Sequence, residues 1–255
     1  MNTTETRMEM RRLGICVVIP TYNNVQTIAQ VVEDVLTYCQ DVIVVNDGSN
    51  DGTEKLLEEM KNRIVLCSYQ PNKGKGTALS TGFQKAREMD FRHAITMDAD
   101  GQHFAADLPL FADSIASHPD SIIIGSRQFD NPNMPQKSSF ANRFSNFWFT
   151  LQTGQRLPDT QTGFRLYPLM PPIRLLTTRY EAELELLVRS AWHGIRIIPI
   201  PIQVYYPPKE VRVTHFRPGI DFFRISVLNT FLTLTAIIYG YPSMLFHYLY
   251  KKIKK

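Results

Sequence analysis

Cysteine and tryptophan are scarce in this sequence, which has three cysteines and two tryptophans among its 255 residues. The cysteines, at positions 16, 39 and 67, lack the close pairing of a zinc module. They are also too few for the disulfide framework of a small secreted domain. The six histidines are scattered without ligand spacing. We therefore expect reduced, structural thiols in a cytosolic protein, and neither a zinc module nor a disulfide-rich fold.

An apolar run is missing from the first twelve residues, which are mostly polar and charged. We expect no signal peptide there and a flexible N-terminus over residues 1–13. The length suits one main domain with an appendage, which we place at residues 14–206 and 207–255.

Acidic residues are scarce towards the C-terminal end. Residues 205–255 hold eight lysines and arginines against Glu210 and Asp221, although the net charge of the whole chain is only +4. These charges flank an uncharged run from Ile225 to Tyr250, with four tyrosines in its second half. Such a run, with flanking lysines, is typical of a membrane-interface segment. A basic tail can also bind nucleic acid, but no motif for that accompanies it, so we expect no nucleic-acid partner.

The uncharged run contains Gly240-Tyr241-Pro242-Ser243, and a proline inside a helix kinks or breaks it. A single crossing would also leave four lysines on the far side of the membrane, against the positive-inside tendency. We therefore predict two shorter helices that lie in, or dip into, the cytoplasmic leaflet of the cell membrane, giving a peripheral or monotopic protein. The alternative is a soluble helix pair packed on the domain or on a partner subunit of a homo-oligomer.

The predicted helix 140–151 is unusually aromatic, with four phenylalanines and Trp148. An aromatic surface of this kind packs in a core or faces lipid. The sequence leaves both alternatives open.

The rest of the chain alternates short apolar runs with segments of helical periodicity. Predicted strands lie at residues 16–20, 41–45, 64–69, 94–97 and 121–125, and predicted helices at 27–38, 77–89 and 108–116. This alternation predicts an α/β fold with a mostly parallel sheet covered on both faces. Ligands of such sheets bind beyond the carboxyl ends of the strands. We therefore expect the residues that follow each strand to converge on one site.

Two carboxylates one residue apart, Asp98 and Asp100, follow the predicted strand 94–97. Carboxylates are hard oxygen donors that hold divalent cations such as Mg²⁺ or Mn²⁺. Such an ion keeps positions open for substrate phosphates, so the pair predicts a ligand that carries a diphosphate.

The residues after the strands form an ordered series of motifs. They are Pro20-Thr21-Tyr22-Asn23, Asn46-Asp47-Gly48-Ser49, Asn72-Lys73-Gly74-Lys75-Gly76, Asp98-Ala99-Asp100-Gly101-Gln102-His103 and Gly125-Ser126-Arg127. Over about residues 14 to 206 the series resembles the family 2 glycosyltransferases, whose GT-A fold is a Rossmann-like nucleotide-diphospho-sugar transferase domain. Two later pieces, Asp159-Thr160-Gln161-Thr162-Gly163-Phe164-Arg165 and Glu183-Leu184-Glu185-Leu186-Leu187, resemble the branch of polyprenyl-phosphate sugar synthases related to dolichyl-phosphate mannose synthase.

The resemblance implies an inverting, metal-dependent transfer of a sugar from a UDP- or GDP-sugar donor. The implied contacts with the nucleotide sugar are Pro20, Thr21, Tyr22, Asp47, Lys75, Gly76, Asp98 and Ala99. The implied ligands of the divalent metal are Asp98, Asp100 and Gln102. The implied catalytic set is Asp98, Asp100, Glu183, Arg127, Arg165 and Asp159. Asn46 stands where the family often has a second acid, which leaves the base of the donor open.

Two acceptor classes remain. An undecaprenyl- or dolichyl-type polyprenyl phosphate is already an anion and can attack directly, with Arg127, Arg165 and the loop 212–217 as cationic partners. A hydroxyl of a glycolipid or cell-envelope polysaccharide needs a general base, and Glu183 lies where many relatives that use hydroxyl acceptors place one. A third hypothesis, a non-catalytic nucleotide-sugar-binding membrane scaffold, has no need of the metal pair. We favour the lipid phosphate.

Overall fold

The computed structural model describes residues 2–127, 136–170, 172–206 and 217–253, with the backbone alone at 136–140 and 218. The helices are α1 (Thr3–Leu13), α2 (Ile28–Tyr38), α3 (Thr53–Glu59), α4 (Lys75–Glu88), α5 (Leu108–Ser117), α6 (Gln136–Thr153), α7 (Glu181–Trp192), α8 (Pro218–Thr235) and α9 (Tyr241–Ile253). The strands are β1 (Ile15–Thr21), β2 (Val42–Asp47), β3 (Val65–Tyr69), β4 (His93–Thr96), β5 (Ser121–Arg127), β6 (Arg165–Pro168) and β7 (Arg196–Ile202).

These strands form one sheet in the order β3-β2-β1-β4-β6-β5-β7. Among the named strands of the described residues, only β6 runs antiparallel to its neighbours, and the other strands pair in parallel. The predicted α/β fold with a mostly parallel sheet is confirmed. Strands β6 and β7 were not predicted. In β7 the alternating Pro199 and Pro201 conceal the strand pattern, and prolines are tolerated there because β7 is an edge strand.

Layers of helices cover both faces of the sheet, because successive side chains of a buried strand point to opposite sides. Val17 and Ile19 of β1 join a core with α2 and α5. Cys16 and Val18 join the second core, which contains residues of α4, α6, α7 and α8. The polar ends of β1, β2 and β4 therefore emerge between the two layers, where the site lies.

The N-terminal residues differ from the flexible segment that we expected over residues 1–13. From Thr3 to Leu13 they form α1, which begins with a capping box between Asn2 and Glu5. Thr6 and Met10 are buried, and the helix ends at Gly14, whose φ of 63° suits glycine. The expectation of flexibility is therefore corrected for the described residues 2–13.

The C-terminal helices also differ from the prediction. Instead of breaking at Gly240 to Ser243, the chain passes from α8 into α9 through one wide turn at Ala236–Gly240 whose hydrogen bonds are of the π type. Pro242 lies in the first turn of α9. Proline has no backbone N–H to donate, and the wide turn just before it accommodates this missing hydrogen bond. The helix Gly219–Ile253 is long and apolar enough to cross a membrane, judged by length and composition alone.

Candidate active site

The polar ends of β1, β2 and β4 open into a cleft of about 900 Å³. The predicted site residues that line it are Pro20, Thr21, Tyr22, Asp47, Lys75, Asp98, Ala99, Asp100 and Gln102. Five other predicted residues, Gly76, Arg127, Asp159, Arg165 and Glu183, are not among the described lining residues. The convergence expected at the carboxyl ends of the strands is therefore present, and the volume is that of a small-molecule site.

Lys75, at the first position of α4, is one of the residues that line this cleft. Its Nζ lies 2.7 Å from Asp98 Oδ1 and 2.8 Å from Glu183 Oε2. The ammonium group thus joins a residue after β4 to one in α7. Burial works against this charge, but the two carboxylates outweigh it and raise the pKa of Lys75, so the lysine is fully protonated.

Gly76 has a packing role in the fold, and its contact with the nucleotide sugar stays a prediction. A Cβ at this position would lie 2.5 Å from the Cβ of Ala182 and 2.8 Å from the carbonyl carbon of Thr178. Only glycine therefore allows the start of α4 to approach the start of α7 this closely. The close approach brings Lys75 within reach of Glu183.

Asp98 and Asp100 form an electrostatically unequal pair. Burial opposes the charge on Asp98, but Lys75 outweighs it and lowers the pKa of Asp98. Burial and the neighbouring charge of Asp98 raise the pKa of Asp100 to about 6. The backbone N–H of Gln102 donates to Asp100 Oδ1 at 3.0 Å, and the residue also lines the cleft.

This donor set fits a hard divalent cation. Two carboxylates that repel each other in a partly buried cleft are stabilised by a positive ion, and oxygen donors suit Mg²⁺ or Mn²⁺. No third His, Cys, Asp or Glu joins them within the described ranges, so a bound ion would keep positions for phosphate oxygens or water. His103 does not extend the set: burial lowers its pKa to about 4, and its ring packs against Phe164 with centroids 5.2 Å apart.

Asp47 has a role that the motif did not predict. Its carboxylate accepts the backbone N–H groups of Lys73 at 2.7 Å and Gly74 at 2.8 Å, and the side-chain amide of Asn72 at 2.9 Å. Three donors from one loop therefore converge on a buried carboxylate. Asp47 fixes the loop that leads into α4, and so it positions Lys75 as well as lining the cleft.

Arg127 and Asp159 form an ion pair beside the described part of the cleft. The guanidinium Nε and Nη2 donate to the two carboxylate oxygens at 2.6 and 3.0 Å, and Asp159 is completely buried. The pair connects the end of β5 to the loop before β6. Removing Arg127 alone would leave the buried carboxylate of Asp159 without its partner and destabilise the fold. In an Arg127 variant, acceptor binding therefore has to be measured separately from stability.

Arg165 does not reach the cleft, which corrects the prediction that it supplies charge to a phosphate. Its side chain is 0% exposed. The guanidinium donates to the carbonyl oxygens of Thr160, Thr162 and Glu183 and to the hydroxyl of Tyr167. Arg165 therefore holds the loop before β6 against α7, and the loop 212–216, which we expected to supply further cations, lies outside the described residues.

The alternating acids of α7 face different neighbours. Glu183 reaches Lys75, whereas Glu185 is fully buried and accepts the backbone N–H groups of Leu176 and Thr177. Helical geometry requires this divergence, because residues two apart do not share a face. Of these two acids, only Glu183 contacts a side chain that lines the cleft, that of Lys75.

Sequence reasoning missed Arg179, Tyr180 and Asp221, whereas it had predicted Arg217 as part of the cationic loop 212–217. Arg179 and Tyr180, just before α7, and Arg217 and Asp221, at the start of α8, all line the cleft. Gly163 packs directly against the carboxylate of Asp98. Arg179, Tyr180 and Asp221 do not follow a predicted strand, so the expectation that site residues follow the strands could not locate them.

The aromatic helix α6 packs in the core on one side and is exposed on another, so each of the two predicted alternatives, core packing and an exposed aromatic surface, describes part of it. Phe149 is fully buried in the second core, whereas Phe147 and Leu151 are exposed. Phe144 stacks on Phe222 of α8 with ring centroids 5.9 Å apart. One side of α6 is therefore core, and another side continues the apolar surface of the C-terminal helices.

Comparisons with known proteins agree with this geometry. The family model described as glycosyl transferase family 2 matches residues 16–170. A UDP-N-acetylglucosamine–dolichyl-phosphate N-acetylglucosaminyltransferase of Methanococcus voltae is 30% identical over 241 residues, which cover 84% of this chain and 96% of that protein. A polyprenol monophosphomannose synthase of Mycolicibacterium smegmatis is 28% identical over 200 residues, covering 73% of this chain and 75% of that protein.

Solved structures with the same architecture include glucosyl-3-phosphoglycerate synthase from Mycobacterium tuberculosis in complex with Mn²⁺, uridine-diphosphate-glucose and phosphoglyceric acid. The TM-score is 0.66 at 14% sequence identity, covering 92% of this chain and 84% of that chain. At this identity the likeness concerns the fold, and the expected GT-A type of α/β fold is confirmed.

Proposed function

The chain belongs to glycosyl transferase family 2 and is a glycosyltransferase, and on that premise we propose that it moves a sugar from a nucleotide-diphosphate donor to a polyprenyl phosphate. The transfer inverts the anomeric carbon and takes place at the cytoplasmic face of the cell membrane. The relatives from Methanococcus voltae and Mycolicibacterium smegmatis, whose names specify dolichyl phosphate and polyprenol, support this acceptor class.

One structural observation carries the proposal. The cleft that holds Asp98 and Asp100 is also lined by Arg217 and Asp221, where the apolar C-terminal helix begins. A donor diphosphate and a lipid-borne phosphate can therefore meet beside an apolar surface. Arg179 and Arg217 supply positive charge at the same cleft, which suits two phosphate-bearing substrates.

The donor is held by the edge of the sheet and by the start of α4. Thr21 and Asp47, the last residues of β1 and β2, line the nucleotide end of the cleft together with Tyr22. The N-terminus of α4, fixed by the Asp47 contacts with Lys73 and Gly74, directs its helix dipole towards the diphosphate.

Asp98 and Asp100 would hold a divalent ion, Mg²⁺ or Mn²⁺, with Gln102 beside them. When bound, the ion neutralises the charge that develops on the leaving diphosphate. Lys75 adds a fixed positive charge at the same place because it is kept protonated by two carboxylates. The remaining chemistry is done by the substrates and by this chain's own side chains.

The reaction is a single displacement. An oxygen of the acceptor phosphate attacks the anomeric carbon, the bond to the donor diphosphate breaks, and the nucleoside diphosphate leaves with inversion. No proton has to be removed from a phosphate anion, so no general base is needed. The engagement of Glu183 with Lys75 fits this mechanism, since the carboxylate serves to orient a cation.

The second candidate acceptor is a hydroxyl of a glycolipid or polysaccharide. The observation that favours it is the position of Glu183. Its Oε2 contacts the same Lys75 ammonium group that contacts Asp98. A small displacement of Lys75 would free Glu183 to accept a proton. The non-catalytic scaffold is set aside, because the family and the relatives are transferases.

The deciding experiment supplies polyprenyl phosphate in vesicles with a panel of radiolabelled nucleotide sugars, followed by organic extraction. We expect a glycosyl monophosphate lipid that mild acid cleaves, absent with the Asp98→Asn variant. A labelled product that is stable to mild acid would instead indicate a glycoside formed on a hydroxyl. No transfer to lipid with any donor would contradict the proposal.

A further inference from the structure

The C-terminal helix formed by α8 and α9 is attached to the domain from Asn229 to Lys251. In α8, Gln152 Nε2 donates to Asn229 Oδ1 at 3.0 Å. Further along, Tyr241 and Ser243 donate to the carbonyl oxygens of Leu151 and Trp192 at 2.6 and 2.8 Å, and Lys251 donates to that of Gly194 at 2.9 Å. Polar side chains on the inward face thus bind the helix to the domain from Asn229 to its C-terminal end.

Close packing reinforces these hydrogen bonds. Leu228, Leu232 and Ala236 belong to the same core as α7. A Cβ on Gly240 would lie 2.5 Å from the indole Nε1 of Trp192, and one on Gly194 would lie 2.8 Å from the Cβ of His247. The helix is therefore part of the folded domain and not a detachable tail.

The outward face of the same helix is apolar. It carries Ile220, Phe223, Val227, Phe231, Leu234, Ile237, Ile238, Leu245, Phe246, Leu249 and Ile253, all exposed. Exposure reaches 81% at Ile238 and 83% at Ile253, and no charged residue occurs from Ile225 to Tyr250. Phe147 and Leu151 of α6 extend this surface, which we call the apolar face. A patch of this extent marks an interaction site.

We propose that the apolar face lies flat in the surface of an anionic bilayer, with the helix parallel to the membrane and the catalytic domain resting on it. The proposal rests on the proposed function, because a lipid-borne acceptor has to reach the cleft. Beyond the proposed function, it specifies that the apolar face enters the lipid and that the helix does not cross the membrane.

The domain contacts oppose a crossing. From Ile220 to Ile253 the helix is about 50 Å long, whereas the hydrocarbon core of a bilayer is about 30 Å thick. Because the inward face is bound to the domain from Asn229 to Lys251, a crossing would draw α6 and α7 into the hydrocarbon. The exposed Arg196, two residues after Gly194, would enter with them, and a charged side chain in hydrocarbon is costly.

The distribution of charge favours a bilayer over a second copy of this chain. Arg224 flanks the uncharged run at one end, and Lys251 and Lys252 flank it at the other. Asp221, the acid within the described helix, is buried. An antiparallel two-fold pairing of two such helices would place the arginine of one copy against the lysines of the other, and like charges repel. Anionic lipid headgroups complement all three cations.

The orientation places the mouth of the cleft at the membrane surface. Arg217 and Asp221 line the cleft, and the neighbouring Ile220 and Phe223 belong to the apolar face. A phosphate at headgroup depth would therefore lie level with Arg217. The acceptor reaches the donor by lateral diffusion, without extraction of its chain from the membrane.

The test measures depth at three positions of the helix. Single cysteines replace Phe223, Ile238 and Ile253 in a Cys67→Ser background, since Cys16 and Cys39 are buried and unreactive. Each is labelled with an environment-sensitive fluorophore and mixed with vesicles of phosphatidylcholine and phosphatidylglycerol that contain quenchers at known depths. Neither donor nor acceptor is present.

We expect all three labels to report the same shallow depth. A label at Ile238 in the bilayer centre, with Phe223 and Ile253 near opposite surfaces, would show a crossing and overturn the proposal. Labels that ignore the vesicles but become quenched on self-association in solution would assign the apolar face to a second copy and would also overturn it.

A pair of leucine variants tests the surface itself. Leu234 lies on the apolar face and Leu110 is an exposed leucine of α5, on the other side of the sheet. Leu234→Asp should weaken vesicle binding roughly tenfold or more, while Leu110→Asp leaves it unchanged. The urea midpoint of both variants checks folding, and equal binding by the two would overturn the proposal. Shallow labels combined with no sugar transfer in the same vesicles would count against the proposed function alone.

Discussion

The carboxylate of Asp98 lies directly against Gly163, which is 65 positions further along the chain. A Cβ on Gly163 would be 2.5 Å from Asp98 Oδ2 and 2.9 Å from Oδ1. Thr96, two residues before Asp98, donates its hydroxyl to the Gly163 carbonyl at 2.7 Å. The orientation of the metal-pair aspartate is thus set by the loop that leads into β6.

Adding one methyl group at Gly163 should therefore disable the site. In Gly163→Ala the new Cβ has to displace the Asp98 carboxylate, and a displacement of this size can reduce turnover on the order of 10²-fold. Sugar transfer in vesicles measures the effect. Gly219→Ala is the matched control, because nothing lies within 4 Å of a Cβ there. Equal activity of the two variants would show that Asp98 tolerates a shift.

The sequence predicted that Asp98 lies in the site, because it follows a strand, but it did not predict that Gly163 packs against it. Asp98 and Asp100 follow β4, and the carboxyl ends of parallel strands meet at one edge, so local pattern located them. Gly163 reaches the same edge because β6 runs antiparallel between β4 and β5. The short, mixed sequence of β6 gives no strand pattern. Its placement depends on long-range pairing, which a single sequence does not display.

Removal of the metal pair is the second prediction. Asp100→Asn should reduce transfer on the order of 10²-fold or more, since an amide is a neutral and weaker ligand than a carboxylate. EDTA should abolish turnover, and Mn²⁺ or Mg²⁺ should restore it. Asp113→Asn, at an exposed position of α5, is the control. Full activity in chelator would remove the metal from the proposal.

Glu183 and Lys75 separate the acceptor classes. Glu183→Gln keeps an oxygen for Lys75, so with a phosphate acceptor we expect a loss of less than about tenfold, against roughly 10²–10⁴-fold for a lost general base. A loss in the larger range would move the assignment to a hydroxyl acceptor.

Lys75→Met should be the more harmful change, because Asp98 and Glu183 would then lose their shared cation. We expect loss of turnover and a decrease of about 3 kcal/mol in the free energy of unfolding. Lys73→Met, two positions earlier and exposed, should leave turnover nearly unchanged. Urea denaturation with a transfer assay measures both effects, and a Lys75→Met enzyme as active as Lys73→Met would contradict the role of Lys75.

Arg165 should behave as a folding residue. Arg165→Met leaves three carbonyl oxygens and a tyrosine hydroxyl without their donor inside the core, which costs roughly 3–5 kcal/mol of stability. Arg143→Met, at an exposed position of α6, should cost little. If urea denaturation finds the two variants equally stable, and Arg165→Met instead raises the KM for the acceptor, the buried role is wrong.

Asp47 should act through the loop that it holds. Asp47→Asn replaces one acceptor oxygen by an N–H₂ group facing backbone donors, so we expect a loss of about 1–3 kcal/mol in stability. The affinity for the donor should fall with it, because the start of α4 is no longer fixed. Calorimetric titration with nucleoside diphosphate measures the affinity. Unchanged binding would mean that the loop is held by other contacts.

One feature of the fold was predictable from the sequence but was not used. Asn2 and Glu5 stand at the spacing of a capping box, and Gly14 follows at a distance suited to a helix end, so α1 was predictable. The burial of Arg165 was not, because an arginine after a strand-end motif is usually exposed. Its partners are backbone carbonyls, which carry no signal in side-chain identity.

The wide turn at Ala236–Gly240 bears on how this helix can change in length. Inward positions fall at Leu228, Leu232, Ala236, Gly240 and Met244, each four residues apart, which is longer than the regular repeat of about 3.6 residues. The wide turn contains one residue more than an ordinary helical turn, and this extra residue keeps the positions beyond the turn facing inward. Deleting a single residue within it would convert it to ordinary helix and leave both flanking segments facing as they do now. The same deletion a few residues earlier would rotate everything beyond it by about 100° and turn the inward face towards the lipid. Deletion of one residue from this helix is therefore tolerated at the wide turn and disruptive elsewhere.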